Sequence, residues 1–518
     1  MAFDVIIRGG QVLDGTGAPA FRADVAIDGD RIAAVGRLEQ AEAGLVVEAA
    51  GRYVAPGFVD CHAHGDAVFD DEEVQLAALR QGVTTFVLGQ DGLSFAPGSS
   101  KTVRYATRYF AAVNGGLDMP WSSDLPADGS VSVDDLLSVY DRNTALNTAY
   151  LLPHGTIRYD VMEASPDEPS GDQLRQMLRR VEKGLSEGAV GMSTGLEYLP
   201  GRYATASELA ALCRPLGRLP YVTHMRAYGA RAGVGMDEVM EIAALSGAAM
   251  HVSHLHGPAD VLLPLVARAH DRDVDLTFDT YPYLRGSTIL AMVVLPPSVP
   301  AAEVGRAIEM LESDALDEHW ESLEEVWPRL TISHAPGLTW SEGLTMVEAA
   351  ERAGQKPADF CRRLLITTEL EAGCVSARPD EGPEGEESVR RMLRHPAHTG
   401  GSDGIYVGGH PHPRGFGAFA RFLGRHVREL GDWSWPEAIV HLASHPSRRF
   451  GLDDRGLVRP GFAADLVVID PSTVADLATY AAPRTLAAGI DEVFVSGVRV
   501  LSGGALTGVT PGRALRSH

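Results

Sequence analysis

Two histidines near the start of the chain are spaced so that both could bind one metal ion. His62 and His64 flank Ala63 and follow a short apolar run, Phe58-Val59. Because the side chains of a β-strand alternate between its two faces, residues i and i+2 point to the same side. The spacing predicts a pair of metal ligands at a strand end. An isolated pair of this kind is equally compatible with two solvated histidines at a strand edge.

Further residues of the metal-binding type recur where later apolar runs end. Histidine nitrogens and carboxylate oxygens are the usual ligands of zinc in enzymes, and a dispersed site draws them from separate parts of the chain. This recurrence favours a metal site over a solvated pair. The residues concerned are Asp91, His154, His224, His254, Asp279 and Asp403.

Eight short apolar runs alternate with amphipathic, helix-like segments through the middle of the chain. This alternation is typical of parallel βα units. Eight such units predict an α/β fold of the TIM type, a (β/α)₈ barrel whose active site gathers at the carboxyl ends of the strands. The metal-binding residue types stand at those ends. The runs are Gly57–His64, Thr84–Gly89, Ala149–His154, Val190–Thr194, Tyr221–His224, Ala249–His254, Asp275–Asp279 and His398–Asp403.

The two ends of the chain have a different pattern, in which short β-type runs are separated by turn residues. Asp28-Gly29 is a hairpin signal between two such runs. We therefore predict a small β-sandwich domain built from both termini, residues 1–57 and 446–518. The barrel would occupy residues 58–445.

Charge and composition exclude several classes of partner. The chain has 518 residues, of which 45% are hydrophobic, and a net charge of −24, so it lacks the overall basic character that binding nucleic acid or an anionic membrane favours. No secretory signal is visible, and the apolar run Ile289–Leu295 is too short to span a bilayer. The four cysteines show no C-x-x-C spacing, which is typical of reduced thiols. We expect a cytoplasmic protein that acts on a small molecule, of undetermined oligomeric state.

The motifs resemble those of the amidohydrolase superfamily, and within it the D-aminoacylase (N-acyl-D-amino-acid deacylase) family. The resemblance covers nearly the whole chain in order. It implies a zinc-containing (β/α)₈ barrel with a small β-domain from both termini and a lid inserted after the seventh strand, here at about residues 284–395. The matching motifs are His62-Ala63-His64, Gly82-Val83-Thr84-Thr85, His154-Gly155-Thr156-Ile157-Arg158, Ser193-Thr194-Gly195-Leu196-Glu197-Tyr198, Thr223-His224-Met225-Arg226, Ser253-His254, Tyr281-Pro282-Tyr283, Gly401-Ser402-Asp403-Gly404 and His412-Pro413-Arg414.

The resemblance also implies the reaction, the hydrolysis of an N-acyl-D-amino acid to a carboxylic acid and a free D-amino acid. Cleaving an amide near neutral pH requires an activated water, a polarised carbonyl and an acid for the departing amine, and a divalent metal supplies the first two. Asp403 fits the general base and acid. His224 and His254 would hold the more tightly bound of one or two Zn²⁺ ions. A second, weaker site would comprise His62, His64 and Asp403.

Position 91 departs from the family pattern. The family has Asn-Cys-Gly after the second strand, with the cysteine bound to zinc, whereas this chain has Gln90-Asp91-Gly92. A carboxylate oxygen is harder than a thiolate, so we expect Asp91 to hold zinc less tightly and to tolerate Mn²⁺ or Co²⁺ better. The alternative is that Asp91 is only a turn residue. No lysine ends a strand run and could bridge two metals after carbamylation, since the chain has only Lys101, Lys183 and Lys356.

Position 256 is the second departure, in a region that the resemblance assigns to substrate binding. The family typically has a lysine there, which grips the substrate carboxylate, and a neutral His256 would grip it less firmly. Tyr283 and Ser287 match other carboxylate-binding positions of the family. Arg226 and Arg414 stand beside motif histidines and could orient a carboxylate or polarise a carbonyl.

Two alternatives stay open at the level of sequence. The chain could be a related amidohydrolase that acts on another amide, a lactam or a cyclic imide, or that forms an amide. It could also be a catalytically inactive barrel used as a binding scaffold, although a scaffold has no need of the histidine and aspartate set. The sequence does not determine the acyl group, the side chain or the D or L configuration of the substrate.

Overall fold

The computed structural model describes residues 2–38, 40–116 and 129–517 and has a mixed α/β architecture. The amino-terminal segment forms five strands, whose buried side chains include Ile6, Ile7, Val25 and Val54. The two-residue turn Gly29-Asp30 joins the second strand to the third, and Gly29 has a φ of 58°, which favours glycine. The strands are β1 (Ala2–Val12), β2 (Phe21–Asp28), β3 (Arg31–Gly36), β4 (Glu42–Glu48) and β5 (Tyr53–Pro56).

The middle of the chain contributes parallel strands that alternate with helices. All six residues of the strand Val83–Leu88 are buried, as expected where a parallel sheet is covered on both faces. The strands are β6 (Phe58–Asp60), β7 (Ala63–His64), β8 (Val83–Leu88), β9 (Asn147–Tyr150), β10 (Leu152–Pro153), β11 (Met192–Gly195), β12 (Pro220–His224), β13 (Ala249–Val252) and β14 (Leu276–Thr280).

A separate antiparallel sheet follows β14. It has the order β15-β17-β16 and consists of β15 (Arg285–Ile289), β16 (Leu330–His334) and β17 (Gly373–Ala377). Helices between these strands help to bury a hydrophobic core of their own, which includes Trp320, Trp327 and Phe360. We call residues 285–395 the lid segment.

The chain then returns to the parallel strands through β18 (His398–Gly400) and β19 (Gly404–Ile405). β18 pairs with β14, while β19 pairs with β7, both in parallel. The amide of Cys61 donates to the carbonyl of Gly400 at 3.2 Å, and the amide of Asp403 donates to the carbonyl of His62 at 2.8 Å. The last strand of the parallel series therefore lies beside the first. Each of the eight runs predicted from sequence overlaps a strand.

The carboxyl-terminal segment forms β20 (Leu466–Ile469), β21 (Ile490–Val495), β22 (Val498–Ser502), β23 (Ala505–Leu506) and β24 (Ala514–Leu515). β20 pairs with β5, which joins β20–β23 to β1–β5 in one nine-stranded sheet. Strands from both ends of the chain thus share a sheet. The small domain predicted from sequence includes residues 446–518 and therefore β24. In the structure, β24 pairs with β9 among the parallel strands.

Eighteen α-helices lie in the described ranges. Side-chain hydrogen bonds fix the starts of several of them; for example, Ser170 and Gln173 form a reciprocal capping box. The helices are α1 (Glu72–Leu79), α2 (Ser100–Tyr109), α3 (Ala111–Asn114), α4 (Val133–Tyr140), α5 (His154–Met162), α6 (Gly171–Ser186), α7 (Ala206–Cys213), α8 (Ala232–Ser246), α9 (Ala259–His270), α10 (Leu290–Val294), α11 (Val304–Glu312), α12 (Asp317–Glu321), α13 (Met346–Ala353), α14 (Pro357–Thr367), α15 (Pro383–Leu393), α16 (Arg414–Arg421), α17 (Trp435–Ile439) and α18 (His445–Arg449).

The main core lies between the parallel strands and these helices, and it continues into the strands of the carboxyl-terminal segment. None of the helices in the described part of the chain has the length and apolar character needed to cross a bilayer. The polar residues of interest lie at the carboxyl ends of the parallel strands, where β6, β7, β12, β13 and β18 give way to loops.

Candidate metal centre and cavity

Three buried side chains meet at the adjacent ends of β7 and β18. Asp403 Oδ1 lies 3.3 Å from His64 Nε2 and 3.6 Å from His62 Nε2. The two imidazole rings have centroids 5.2 Å apart, so the His-x-His spacing does bring both to one side. The three side chains together form a group whose ligand atoms could hold one metal ion.

Asp91 stands between this group and two further histidines. It lies in a short 3₁₀ turn after β8, and its Oδ1 is 3.6 Å from His62 Nε2 and 3.7 Å from His254 Nε2. Its Oδ2 is 3.5 Å from His224 Nδ1 and 3.8 Å from His64 Nε2. One carboxylate therefore faces four imidazoles.

These separations fit ligands that share a metal. Two ligand atoms at tetrahedral angles, each about 2.0–2.1 Å from zinc, lie roughly 3.3 Å apart. The contacts of Asp91 and Asp403 with the histidines fall near that value, and His224 Nδ1 lies 3.0 Å from His254 Nε2. Within the described part of the chain, His62 Nε2 and Asp91 Oδ1 are buried without a hydrogen-bond partner. A cation between them would satisfy both atoms, so the donor set fits one or two divalent ions.

Three of the four rings are held from behind by a second polar group. The Nδ1 atom of His62 lies 3.4 Å from Asp279 Oδ2, and Asp279 Oδ1 also accepts the amide of His254 at 2.9 Å. Asn114 Oδ1 is 3.0 Å from His64 Nδ1. Glu197 Oε2 is 3.0 Å from His224 Nε2. Such outer contacts fix the tautomer and the orientation of metal-binding histidines.

The charged side chains of this cluster strongly shift one another's pKa values. Burial disfavours a charge on Asp91, yet His224 and His254 overcome this and bring the pKa of Asp91 well below its usual range. Burial also opposes the protonation of His224, but the adjacent Asp91 and Glu197 carboxylates raise the pKa of His224 to about 10. Because a histidine binds a metal only in its deprotonated form, a divalent ion bound here would displace a proton from His224.

Backbone geometry at the site is unusual. Asp91, His254 and Asp403 have φ values of 55°, 36° and 50°, in the left-handed region that side chains with a Cβ rarely adopt. Surrounding contacts must hold these three residues there, and such positions concentrate at functional sites.

A cavity of about 510 Å³ opens over the cluster and extends to the lid segment. Among the predicted substrate-binding residues, His256, Ser287 and Arg414 line it. The ring of His256 stacks on Tyr228 with centroids 4.7 Å apart, and its Nδ1 donates to the carbonyl of His254 at 2.8 Å. Burial, together with the nearby His254 and Arg378 side chains, lowers the pKa of His256 to about 3, so this side chain is neutral.

Arg414 is fully buried beside Asp403. Its Nη2 donates to Asp403 Oδ2 at 2.8 Å, and its guanidinium lies 4.5 Å from the ring centroid of Tyr281. Burial would raise the pKa of Asp403, but the charge of Arg414 outweighs it and lowers the pKa to about 2. Asp403 is therefore ionised at neutral pH.

Two residues that the sequence analysis assigned to substrate binding do not line this cavity. The guanidinium of Arg226 is held by Glu238, at 2.9 Å, and by the carbonyls of Arg202 and Ala204. Tyr283 faces a different cavity, where the guanidinium of Arg421 lies 4.9 Å from its ring centroid. Tyr281, two residues earlier, lines the metal cavity instead.

The sequence analysis listed Asp279 among the strand-end residues, but it missed Glu197 and Asn114 as contacts of the ligand rings. Asp279 ends a predicted strand run, and Glu197 follows one within a quoted motif, so both carried a positional signal. Asn114 lies at the end of α3 and carried none. His154 ends a run as well, but its Nε2 binds Glu208 at 2.9 Å, away from the cluster.

Comparison with known proteins agrees with this geometry. The model of the Amidohydrolase family matches residues 45–501. The chain is 34% identical to an N-acyl-D-glutamate deacylase of Alcaligenes xylosoxydans xylosoxydans and 32% identical to a D-aminoacylase of the same organism, each over 99% of this chain and at least 96% of the relative. The solved N-acyl-D-glutamate deacylase of Bordetella bronchiseptica, complexed with zinc and a phosphonate mimic of the tetrahedral intermediate, superposes with a TM-score of 0.82 at 30% identity over both full chains.

The fold places acidic and histidine side chains at the ends of parallel strands. This arrangement and the matches above point to the same class of protein. The chain belongs to the amidohydrolase family.

Proposed function

We propose that the chain is a metal-dependent hydrolase that cleaves the amide bond of N-acyl-D-amino acids, releasing a carboxylic acid and a free D-amino acid. The observation that carries the proposal is Asp91 among four histidines, with Asp403 on the wall of the same cavity. The names of three relatives that match 99% of this chain, an N-acyl-D-glutamate deacylase, a D-aminoacylase and an N-acyl-D-aspartate deacylase, support the choice of substrate. A binding scaffold would not require this arrangement.

We further propose that the parallel strands close into one (β/α)₈ barrel. Hydrogen bonds from Cys61 to Gly400 and from Asp403 to His62 support the closure between the first and eighth strands. In this scheme the nine-stranded sheet forms the small domain, and the lid segment, residues 285–395, covers the active site at the carboxyl ends of the strands.

His224, His254 and Asp91 would hold the more tightly bound ion, and His62, His64 and Asp403 the second, with Asp91 facing both. When bound, a divalent ion such as Zn²⁺ provides Lewis acidity, which lowers the pKa of a water and polarises the amide carbonyl. The imidazole and carboxylate donors suit zinc, and the oxygens also admit Mn²⁺ or Co²⁺.

The chain itself supplies the proton transfers. Asp403, kept ionised by Arg414, accepts a proton from the attacking water as the new C–O bond forms at the amide carbon. The same carboxyl group then gives the proton to the nitrogen as the C–N bond breaks, so the amine leaves in neutral form. Arg414 holds Asp403 Oδ2, which leaves Oδ1 directed at His62 and His64.

The metal content of histidine variants tests the assignment of ligands. His224→Ala and His254→Ala should each lower bound zinc by about one ion per chain, because each removes a nitrogen ligand. His256→Ala is the matched control, since His256 lies two residues from His254, but its Nδ1 donates to the carbonyl of His254 and its ring stacks on Tyr228. Elemental analysis of the purified variants gives the answer. Equal zinc loss in the His256 and His254 variants would contradict the assignment.

Substrate screening tests the reaction. Zinc-loaded protein should hydrolyse N-acyl-D-amino acids with a kcat/KM at least about 100-fold above that for the L-enantiomers and for simple N-alkyl amides, because the cavity must place the acyl group, the carboxylate and the side chain together. Removing the metal with a chelator should abolish turnover, and Zn²⁺, Mn²⁺ or Co²⁺ should restore it. Equal rates on D- and L-substrates, or turnover only of cyclic imides, would refute the proposal.

A further inference from the structure

A buried histidine on the parallel strands contacts the outer partner of a metal ligand. His251 lies on β13, and its side chain is fully buried. It stands opposite Thr277 on β14, and its Nδ1 is 2.8 Å from Thr277 Oγ1. Asp279 lies two residues beyond Thr277, so it points to the same side of β14, and its Oδ2 is 3.1 Å from His251 Nε2. The register of the two strands therefore brings these three side chains together.

Asp279 connects His251 to the metal cluster. Its Oδ2 also lies 3.4 Å from Nδ1 of His62, and its Oδ1 accepts the amide of His254 at 2.9 Å. Two imidazoles thus share one carboxylate oxygen, and the shorter of the two contacts is the one with His251. The position of the Asp279 carboxylate relative to His62 therefore depends on both rings.

The directions of these hydrogen bonds follow from the charge of Asp279. Burial would raise the pKa of Asp279, but His62 and His251 outweigh burial and hold this pKa below its usual range. An ionised carboxylate only accepts hydrogen bonds, so both imidazoles must donate to it. A neutral His251 that donates from Nε2 accepts at Nδ1, which here faces the hydroxyl of Thr277. His62 donates from Nδ1, which leaves the lone pair of its Nε2 for a metal.

The atoms around His251 do not require an ion of their own. Cys61 Sγ, His251 Nε2 and Asp279 Oδ2 lie close enough together to hold one. However, the carboxylate oxygen already faces two imidazole donors, and the thiol lies 3.2 Å from Thr399 Oγ1. Protein groups therefore satisfy these atoms, whereas His62 Nε2 has no hydrogen-bond partner in the described part of the chain.

We propose that His251 is a positioning residue for the metal ligand His62 and acts through Asp279. The inference rests on the proposed function, because it takes His62 as a ligand of the second ion. By donating to Asp279, His251 fixes the carboxylate beside Nδ1 of His62, which keeps Nε2 of that ring directed at the cluster. The same hydrogen bond favours the ionised form of the carboxylate, so the proton stays on His62 Nδ1.

Two amide side chains of different length test the assignment. In His251→Gln the amide nitrogen stands near the position of Nε2 and can donate to Asp279, whereas the shorter side chain of His251→Asn ends near the position of Nδ1. We expect His251→Asn to weaken the binding of the ion that His62 holds by about 10-fold or more, and His251→Gln to keep it within about threefold of wild type. His251→Met, which fills the space without a donor, should repeat the loss.

The zinc that stays bound to the holoenzyme at graded concentrations of a chelator gives the affinities of both ions. The more tightly bound ion should change by less than about threefold in all three variants, because its proposed ligands do not include His62. His426→Asn is the matched control. His426 is also a buried histidine paired with an aspartate, Asp432, at 2.9 Å, but it lies outside the metal cavity. Its variant should keep both zinc affinities even if it melts at a lower temperature.

Several outcomes would contradict the inference. A wild-type zinc affinity in the Asn and Met variants of His251 would overturn it, and so would an equal loss in the Gln and Asn variants. His62→Ala removes the ligand itself; if that variant loses no zinc, both the proposed ligand set and this inference fail. If the zinc affinities change as expected but the wild-type protein hydrolyses no N-acyl-D-amino acid, the proposed reaction is overturned and the positioning role is supported.

Discussion

Replacing Asp403 with asparagine should lower kcat by about 10²- to 10⁴-fold while the protein still folds. The amide matches the carboxylate in shape but cannot accept the proton of the attacking water. Arg414 would lose its charged partner. Its side chain is fully buried, so the residues packed around it should still hold it in place. Steady-state turnover of zinc-loaded protein measures the effect, and circular dichroism verifies the fold.

Asp432→Asn is the matched control for this experiment. Asp432 is also a buried aspartate paired with an arginine, since Arg390 Nε lies 3.0 Å from both of its oxygens, but it lies outside the metal cavity. Its variant should retain turnover even if it melts at a lower temperature. Near-normal turnover in folded Asp403→Asn protein would remove Asp403 from the mechanism.

Replacing Asp91 with alanine should remove bound metal and activity together. Asp91 is within 3.8 Å of a nitrogen of all four ligand histidines, so its loss takes an oxygen from each of the two proposed sites. It would also remove the one carboxylate that all four imidazoles share. Metal content and turnover, measured on the same sample, should both fall to near the detection limit. Full occupancy and full turnover would mean that Asp91 is only a turn residue.

Asp91→Cys separates the affinity for the metal from its reactivity. A thiolate suits zinc better than a carboxylate, so the affinity for Zn²⁺ should rise while that for Mn²⁺ falls. Turnover need not follow, because a more electron-rich donor leaves the metal a weaker Lewis acid. Competition with a chromogenic chelator measures the affinities. A lower zinc affinity in the cysteine variant would contradict the role of Asp91 as a ligand.

The strands and the residues at their ends could be predicted from sequence for a physical reason. Parallel strands bring their carboxyl ends to one edge, so residues that end successive apolar runs become neighbours whatever the helices between them do. His62, His64, Asp91 and Asp403 follow this rule. Applying this rule requires only the order of the strands along the chain, which the alternation of apolar runs and helix-like segments provides.

Side chains beyond the strand ends do not follow that rule. Arg226 lies close to His224 in sequence, but its direction is set by Glu238 on α8, a tertiary contact that local patterning does not encode. The turn through Pro282 directs Tyr281 rather than Tyr283 to the metal cavity. The length of the lid segment predicted an insertion, but not that its sheet would place Arg378 on the cavity wall. β24 has two residues, too few to indicate that it pairs with β9.

The left-handed backbone at three residues of the metal cluster sets a limit on engineering the protein for heat resistance. Asp91, His254 and Asp403 each carry a Cβ in a conformation that costs about 1 kcal/mol or more. Glycine relieves that strain, so a selection that rewards survival on heating alone has a route to greater stability through these positions. Each such change would delete a side chain of the metal cluster. A thermostability library for this chain should therefore keep all three codons fixed and seek its gains elsewhere.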